Sequence, residues 1–131
     1  MDLLQIESII RTQISVRVKK KIGSRFPNMS FTSELSDKEP SFPNVYIHLL
    51  PSSEKGNTLE NNVINAIDAT IQVMVTTNTS KDDALVVANE CIKAFKELSF
   101  TTPLPVPSKY NNIYRYDFRC HRIIAGGDKF N

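Results

Sequence analysis

Histidine and serine are the side chains of this sequence that most often carry catalysis, yet their spacing forms no known motif. The two histidines, His48 and His121, belong to no H-E-x-x-H pair and to no cysteine–histidine spacing suited to zinc. No serine sits in a nucleophile elbow, and Gly126-Gly127-Asp128 is too short to form a glycine-rich phosphate loop. The sequence therefore predicts that the protein is not an enzyme, needs no metal or cofactor, and works by binding other protein surfaces.

The two cysteines, Cys91 and Cys120, each fall on the apolar side of a predicted element. Cysteine in such a position usually behaves as a small buried hydrophobe. A disulfide or redox pair is the alternative, but the sequence has neither C-x-x-C spacing nor a secretory segment. We expect two buried thiols and a reducing compartment.

A row of cations near the end of the chain is the candidate binding site. Three of them lie two or four residues apart on one face of a predicted strand, while the aromatic residues of that strand point to the other face. The aromatic rings therefore cannot alternate with the cations as a base-stacking platform requires. A solvated face, a protein interface and a nucleic-acid site remain open, with nucleic acid least favoured. The candidate residues are Arg115, Arg119, His121 and Arg122.

The overall charge is small, because 16 basic and 14 acidic side chains leave a formal net charge of +2. This value is too low to attract nucleic acid in general. A second basic cluster is better explained as the solvated back of an amphipathic helix than as a nucleic-acid or membrane patch. Its members are Arg17, Lys19, Lys20, Lys21 and Arg25.

The first half of the chain predicts one helix and two strands. Apolar residues at steps of three or four from Leu3 to Ile22 indicate a helix that ends at Gly23, or earlier, near residue 16, because of its β-branched residues. A short strand at residues 29–35, a turn at 37–43 and a strongly apolar strand at 45–50 follow. Residues 52–62 are polar and predict a loop.

The second half predicts a strand, a helix and a strand. Strict alternation at residues 67–76 is typical of a half-buried strand, and Ser80 with Asp83 forms an acidic variant of the capping box at a helix start. Alternate prolines at residues 101–109 predict a stiff surface arm, and the chain closes on a strand at 113–124. We expect Phe95 and Phe118 to share the core between this helix and the last strand.

Together these elements predict an α+β fold for one domain spanning residues 1–131. Its antiparallel or mixed sheet has about four strands, with two helices packed on one face. No apolar run approaches the roughly 20 residues that cross a bilayer, so no membrane association is expected.

Four segments of the second half carry a resemblance to a known family. They are IDATIQVMVTTN, SKDDALVVANECIKAFKEL, TTPLPVP and YRYDFRCHRIIAGGD. An extended strand, a helix opened by small and acidic residues, a proline arm and an arginine-bearing last strand follow one another in this order. The series resembles the small neck proteins of long-tailed bacteriophages, the tail terminator or tail-to-head joining family. Residues 1–64 agree only in the order of their elements, an opening helix and then FPNVYIHLL.

The resemblance implies a structural virion protein with a sheet flanked by helices. Such a protein forms a ring, expected to be a hexamer, that stops tail-tube growth and docks the tail to the head. Its implied partners are other copies of itself, the major tail protein and a head-completion or connector protein, in a virion assembled in the host cytoplasm. Neither catalysis nor specific nucleic-acid binding is implied. A small α/β nucleic-acid-binding module is the alternative, and its evidence is the two basic clusters.

Overall fold

The computed structural model describes residues 3–34, 41–50, 54–55 and 66–125. In chain order the elements are α1 (Leu3–Ile22), β1 (Ser30–Thr32), β2 (Asn44–Leu50), β3 (Glu54–Lys55), β4 (Ala66–Thr77), α2 (Lys81–Glu97), β5 (Val106–Tyr110) and β6 (Ile113–Ala125). Most of the predicted turn at 37–43 and of the predicted loop at 52–62 lies outside the described residues, as does the tail from residue 126. The loop prediction is wrong at β3, which pairs with β4.

The strands form one mixed sheet in the order β1-β2-β4-β6-β5, with the two-residue β3 beside β4. Among the described strands β1 and β2 run parallel, and the other pairs are antiparallel. The predicted α+β class is therefore confirmed. Two strands were not predicted, the short β3 and the edge strand β5. Neither segment has the alternation of apolar and polar residues that predicts a strand.

Both helices pack on one face of the sheet and enclose the core with it. Alternate residues of β4 and the apolar stripes of the helices are buried there, because the periods of strand and helix each place one apolar side inward. Phe95 of α2 contacts Phe118 of β6 edge to face, with ring centroids 6.3 Å apart, which confirms the predicted pair. Phe100 closes the same aromatic cluster at 5.2 Å from Phe95.

The helix boundaries have local causes. The first helix continues past residue 16 because Val18 is still buried, one turn after Ile14. It ends at Gly23, where an added Cβ would lie 2.4 Å from the Lys19 carbonyl oxygen. The second helix begins after Ser80, whose side chain accepts a hydrogen bond from the Asp83 amide at 3.1 Å, as the capping motif predicts.

The predicted proline arm is only partly correct. Its second half belongs to β5, an edge strand that pairs antiparallel with β6, and Thr101 bridges to His121 just before it. Prolines are tolerated in an edge strand because a missing amide can face solvent without breaking the ladder. The arm therefore lies along the sheet.

Candidate functional site

The side of the sheet opposite the helices, called here the second face, carries the predicted cations of β6. Strand alternation places Arg115, Arg119 and His121 on this face, where all three are exposed. Their neighbours on β4 are polar, since Arg119 lies opposite Gln72 and His121 opposite Thr70. The structure therefore brings these three predicted site residues together in one row.

Arg122 does not belong to this row, as the two- and four-residue spacing of the other three candidates predicted. Consecutive residues of a strand point to opposite faces, so Arg122 follows His121 onto the helix-covered side. There its Nη1 donates a hydrogen bond to the Leu98 carbonyl oxygen at 2.7 Å. A cation at that place satisfies a carbonyl at the end of α2 and interacts favourably with the helix dipole. Arg122 thus stabilises the contact between α2 and the last strand.

Neighbouring carboxylates contact two of the three site residues on the second face. Arg115 forms an ion pair with Asp117 at 2.8 Å, and His121 contacts Asp68 of β4. Arg119, by contrast, makes neither a hydrogen bond nor an ion pair with any residue in the described part of the chain. It is therefore the guanidinium of this row that is available to a partner's carboxylate.

Arg119 borders a groove with exposed aliphatic side chains, which sequence reasoning missed. The groove has a volume of about 390 Å³. Leu104 is 88% exposed and Val106 is 63% exposed, so two large apolar side chains of one groove are left in contact with water. Their placement between alternate prolines was the available signal. The lining residues are Gln72, Pro103, Leu104, Val106, Asp117, Phe118 and Arg119.

The basic cluster at the end of α1 is divided by ion pairs with α2. Arg17 contacts Glu97 at 2.5 Å, and Arg25 contacts Asp83 at 3.0 Å. These carboxylates lie near the two ends of α2, so the arginines join the helices and do not form one continuous cationic surface. This arrangement supports the solvated-helix interpretation. The lysines of the cluster, Lys19, Lys20 and Lys21, remain exposed.

Both cysteines are free and buried, as predicted. Burial raises the pKa of the Cys91 thiol, and the proximity of Cys120 raises it further. Burial likewise raises the pKa of the Cys120 thiol. Because the thiolate is the reactive form, both side chains are inert at neutral pH.

A small polar cluster covers the part of the outer edge of β2 that β1 leaves unpaired. β1 pairs with only the first part of β2, so the Leu49 amide needs another acceptor, and Glu7 of α1 accepts its hydrogen bond at 2.8 Å. His48 lies 3.4 Å from the same carboxylate and stacks on Tyr46 with centroids 5.8 Å apart. Burial and, secondarily, Glu7 raise the pKa of Tyr46. We interpret this cluster as structural, because it blocks a free strand edge.

The described residues contain no group of three His, Cys, Asp or Glu side chains that could hold a metal ion. Within the same part of the chain, neither helix is long and apolar enough to cross a bilayer. Comparison with known proteins finds no matching family model and no similar curated sequence. With no relative to indicate a site, we choose the groove beside Arg119 as the candidate site because of its shape and its lining residues.

Proposed function

We propose that the protein is a structural subunit of the neck of a long-tailed bacteriophage. It assembles into a ring, expected to be a hexamer, that ends the tail tube and joins tail to head. Its partners are its own copies, the major tail protein and a head-completion or connector protein. The proposal rests on the resemblance of residues 65–128 and is supported by the order of elements and by two helices on one face of a sheet.

The observation that carries the proposal is the groove beside Arg119. Its exposed Leu104 and Val106 flank a guanidinium that has no described partner. Apolar side chains with a central arginine are the composition of protein interfaces, because arginine pairs carboxylates in a fixed geometry while the aliphatic groups exclude water. The second face is therefore suited to contact with another protein.

Two further exposed apolar side chains lie on the other side of the molecule. Ile9 and Val16 are exposed two turns apart along α1, in the helical layer. A ring needs a heterologous contact, in which one patch of a copy meets a different patch of the next copy. The groove beside Arg119 and the helical layer are unlike surfaces on opposite sides of the chain, as such a contact requires, whereas a twofold dimer would need only one surface.

The first experiment measures assembly. Purified protein, alone and with tail tubes, is analysed by light scattering and electron microscopy over a range of concentrations. We expect rings, formed either free or on the tube. A number of copies per particle that breaks the rotational symmetry of the tail would contradict the proposal.

A charge reversal tests the groove itself. Arg119→Glu should reduce ring formation, because it repels the carboxylate that the guanidinium would bind. Lys96→Glu, an equal charge change at an exposed position of α2, should leave assembly unchanged. If Arg119→Glu particles assemble normally and the variant instead loses binding to nucleic acid, the α/β nucleic-acid-binding alternative replaces this function.

A further inference from the structure

A second cavity lies between the start of α2 and the β5–β6 hairpin. It has a volume of about 300 Å³ and shares no lining residue with the groove beside Arg119. Lys109 lies opposite Tyr114 and Pro107 opposite Tyr116, so these side chains share one face of the hairpin. The lining residues are Lys81, Pro107, Ser108, Lys109, Tyr114, Arg115 and Tyr116.

The charged residues that line this cavity are all positive. They are Lys81, Lys109 and Arg115, of which Arg115 has its side chain on the second face of the sheet, and no carboxylate is among the lining residues. Asp117 compensates Arg115 at 2.8 Å. Lys81 and Lys109, however, make no ion pair with any residue of the described chain. Two lysine charges therefore remain uncompensated beside one small cavity.

Aromatic side chains line the cavity beside its lysines. The Lys109 ammonium lies 5.1 Å from the centre of the Tyr114 ring, a contact that restrains a flexible lysine. Tyr116 is buried and Tyr114 half-buried, yet neither hydroxyl forms a hydrogen bond within the described residues. Neither hydroxyl is among the buried unpaired atoms of the described residues, so both reach solvent and are available to donate to a bound acceptor.

We propose that this cavity binds a carboxylate side chain in an acidic segment of a partner protein. The inference deepens the proposed function and rests on it, since the partner is then another protein of the neck. The two lysines supply the charge, the tyrosine hydroxyls supply hydrogen bonds, and the rings and Pro107 contact the apolar part of the side chain. Nucleic acid fits this site less well, because Tyr116 is only 5% exposed and its ring cannot stack on a base.

Hexaglutamate is the probe, and the chain carries its own reporter. The sequence has no tryptophan and four tyrosines, so tyrosine dominates the fluorescence, and Tyr114 and Tyr116 line the cavity. Titration should give a saturable change in fluorescence. The double variant Lys81→Gln/Lys109→Gln should weaken binding about tenfold, from the loss of two exposed charge pairs.

A matched variant separates this site from general charge attraction. Lys20→Gln/Lys21→Gln removes the same charge from exposed positions of α1 and should leave hexaglutamate affinity unchanged. An equal loss in both variants, or the absence of saturable binding, overturns the inference. Equal or tighter binding of an oligothymidylate of the same charge overturns it too, because the site would then recognise polyanions in general.

The same titration keeps this inference distinct from the proposed function, since it uses free protein and needs no ring. Saturable hexaglutamate binding by a protein that never assembles with tail tubes contradicts the proposed function and supports the assigned ligand class. Normal ring assembly by a protein that does not bind hexaglutamate overturns only the cavity inference. Circular dichroism of each lysine variant should show an unchanged thermal transition, because these side chains are exposed.

Discussion

The two faces of the sheet differ in cover and in chemistry, although they are built from the same strands. On β4 the residues that point toward the helices are buried, and those between them are half-exposed. On β6 the covered side carries Tyr116, Phe118 and Cys120, whereas the second face carries Arg115 and Arg119. Along either strand, consecutive residues therefore alternate between the core and the surface.

This difference separates stability from recognition. Burial of apolar surface stabilises the fold by about 25 cal/mol per Å², so the covered face contributes most of the folding free energy. Side chains of the second face can change without creating a cavity, which leaves that face free to vary for binding. The following predictions test whether the two roles are as separate as the geometry indicates.

The largest effect is expected for Phe95→Ala on the covered face. Phe95 is fully buried between Phe100 and Phe118, and truncating a buried phenylalanine costs about 3 to 5 kcal/mol of unfolding free energy. Urea denaturation measures the loss. Phe95→Leu retains much of the volume and should cost less. A variant as stable as the parent would show that this face does not dominate the folding free energy.

The second prediction concerns the pKa of the buried thiols. Burial raises both pKa values in the folded state, so the neutral thiols contribute stability fully below the unfolded value of about 8.5. Above that pH the unfolded chain loses protons that the folded chain keeps. The unfolding free energy should then fall by up to about 1.4 kcal/mol per pH unit for each thiol.

Urea denaturation between about pH 7.5 and pH 10 measures this slope. The control is Cys91→Ala/Cys120→Ala, which retains every other titrating group and should show a shallower decline. Equal slopes in both proteins would mean that the thiols are accessible in the folded state. Slow labelling by a thiol reagent before unfolding should accompany the steeper slope.

A smaller effect is expected at the start of the helix that covers the core. Ser80→Ala removes the acceptor for the Asp83 amide and should cost about 1 kcal/mol. Ser80→Asp retains an acceptor and is the matched control. Among the parent protein, Ser80→Asp and Ser80→Ala, the last should have the lowest thermal transition temperature. Equal transition temperatures would mean that tertiary packing alone, and not the Ser80 cap, stabilises the start of α2.

The smallest effect on stability is expected for Arg119→Glu on the second face. Arg119 is exposed and makes no hydrogen bond or ion pair with the described chain, so the unfolding free energy should change by less than about 0.5 kcal/mol. Phe118→Ala, one residue earlier on the covered face, should lose several times more. Similar losses at both positions would show that the second face also supports the fold.

Much of this architecture was predictable from the sequence, because it depends on local periods. The alternation of β4, the cap at Ser80 and the apolar stripe of α2 were each predicted and confirmed. The prediction that Arg115, Arg119 and His121 share one face was confirmed, whereas Arg122, at an even position of the strand, lies on the face of Ile124.

The remaining features depend on contacts between distant residues. The periods of the sequence determined which elements form and which side of each is buried, since apolar side chains must leave water. Only the tertiary structure decided that the proline segment joins the sheet edge, exposing Leu104 and Val106 beside Arg119. It also paired Arg17 with Glu97, which divided the basic cluster. Such pairings are set by packing of the whole chain, and no local pattern in the sequence records them.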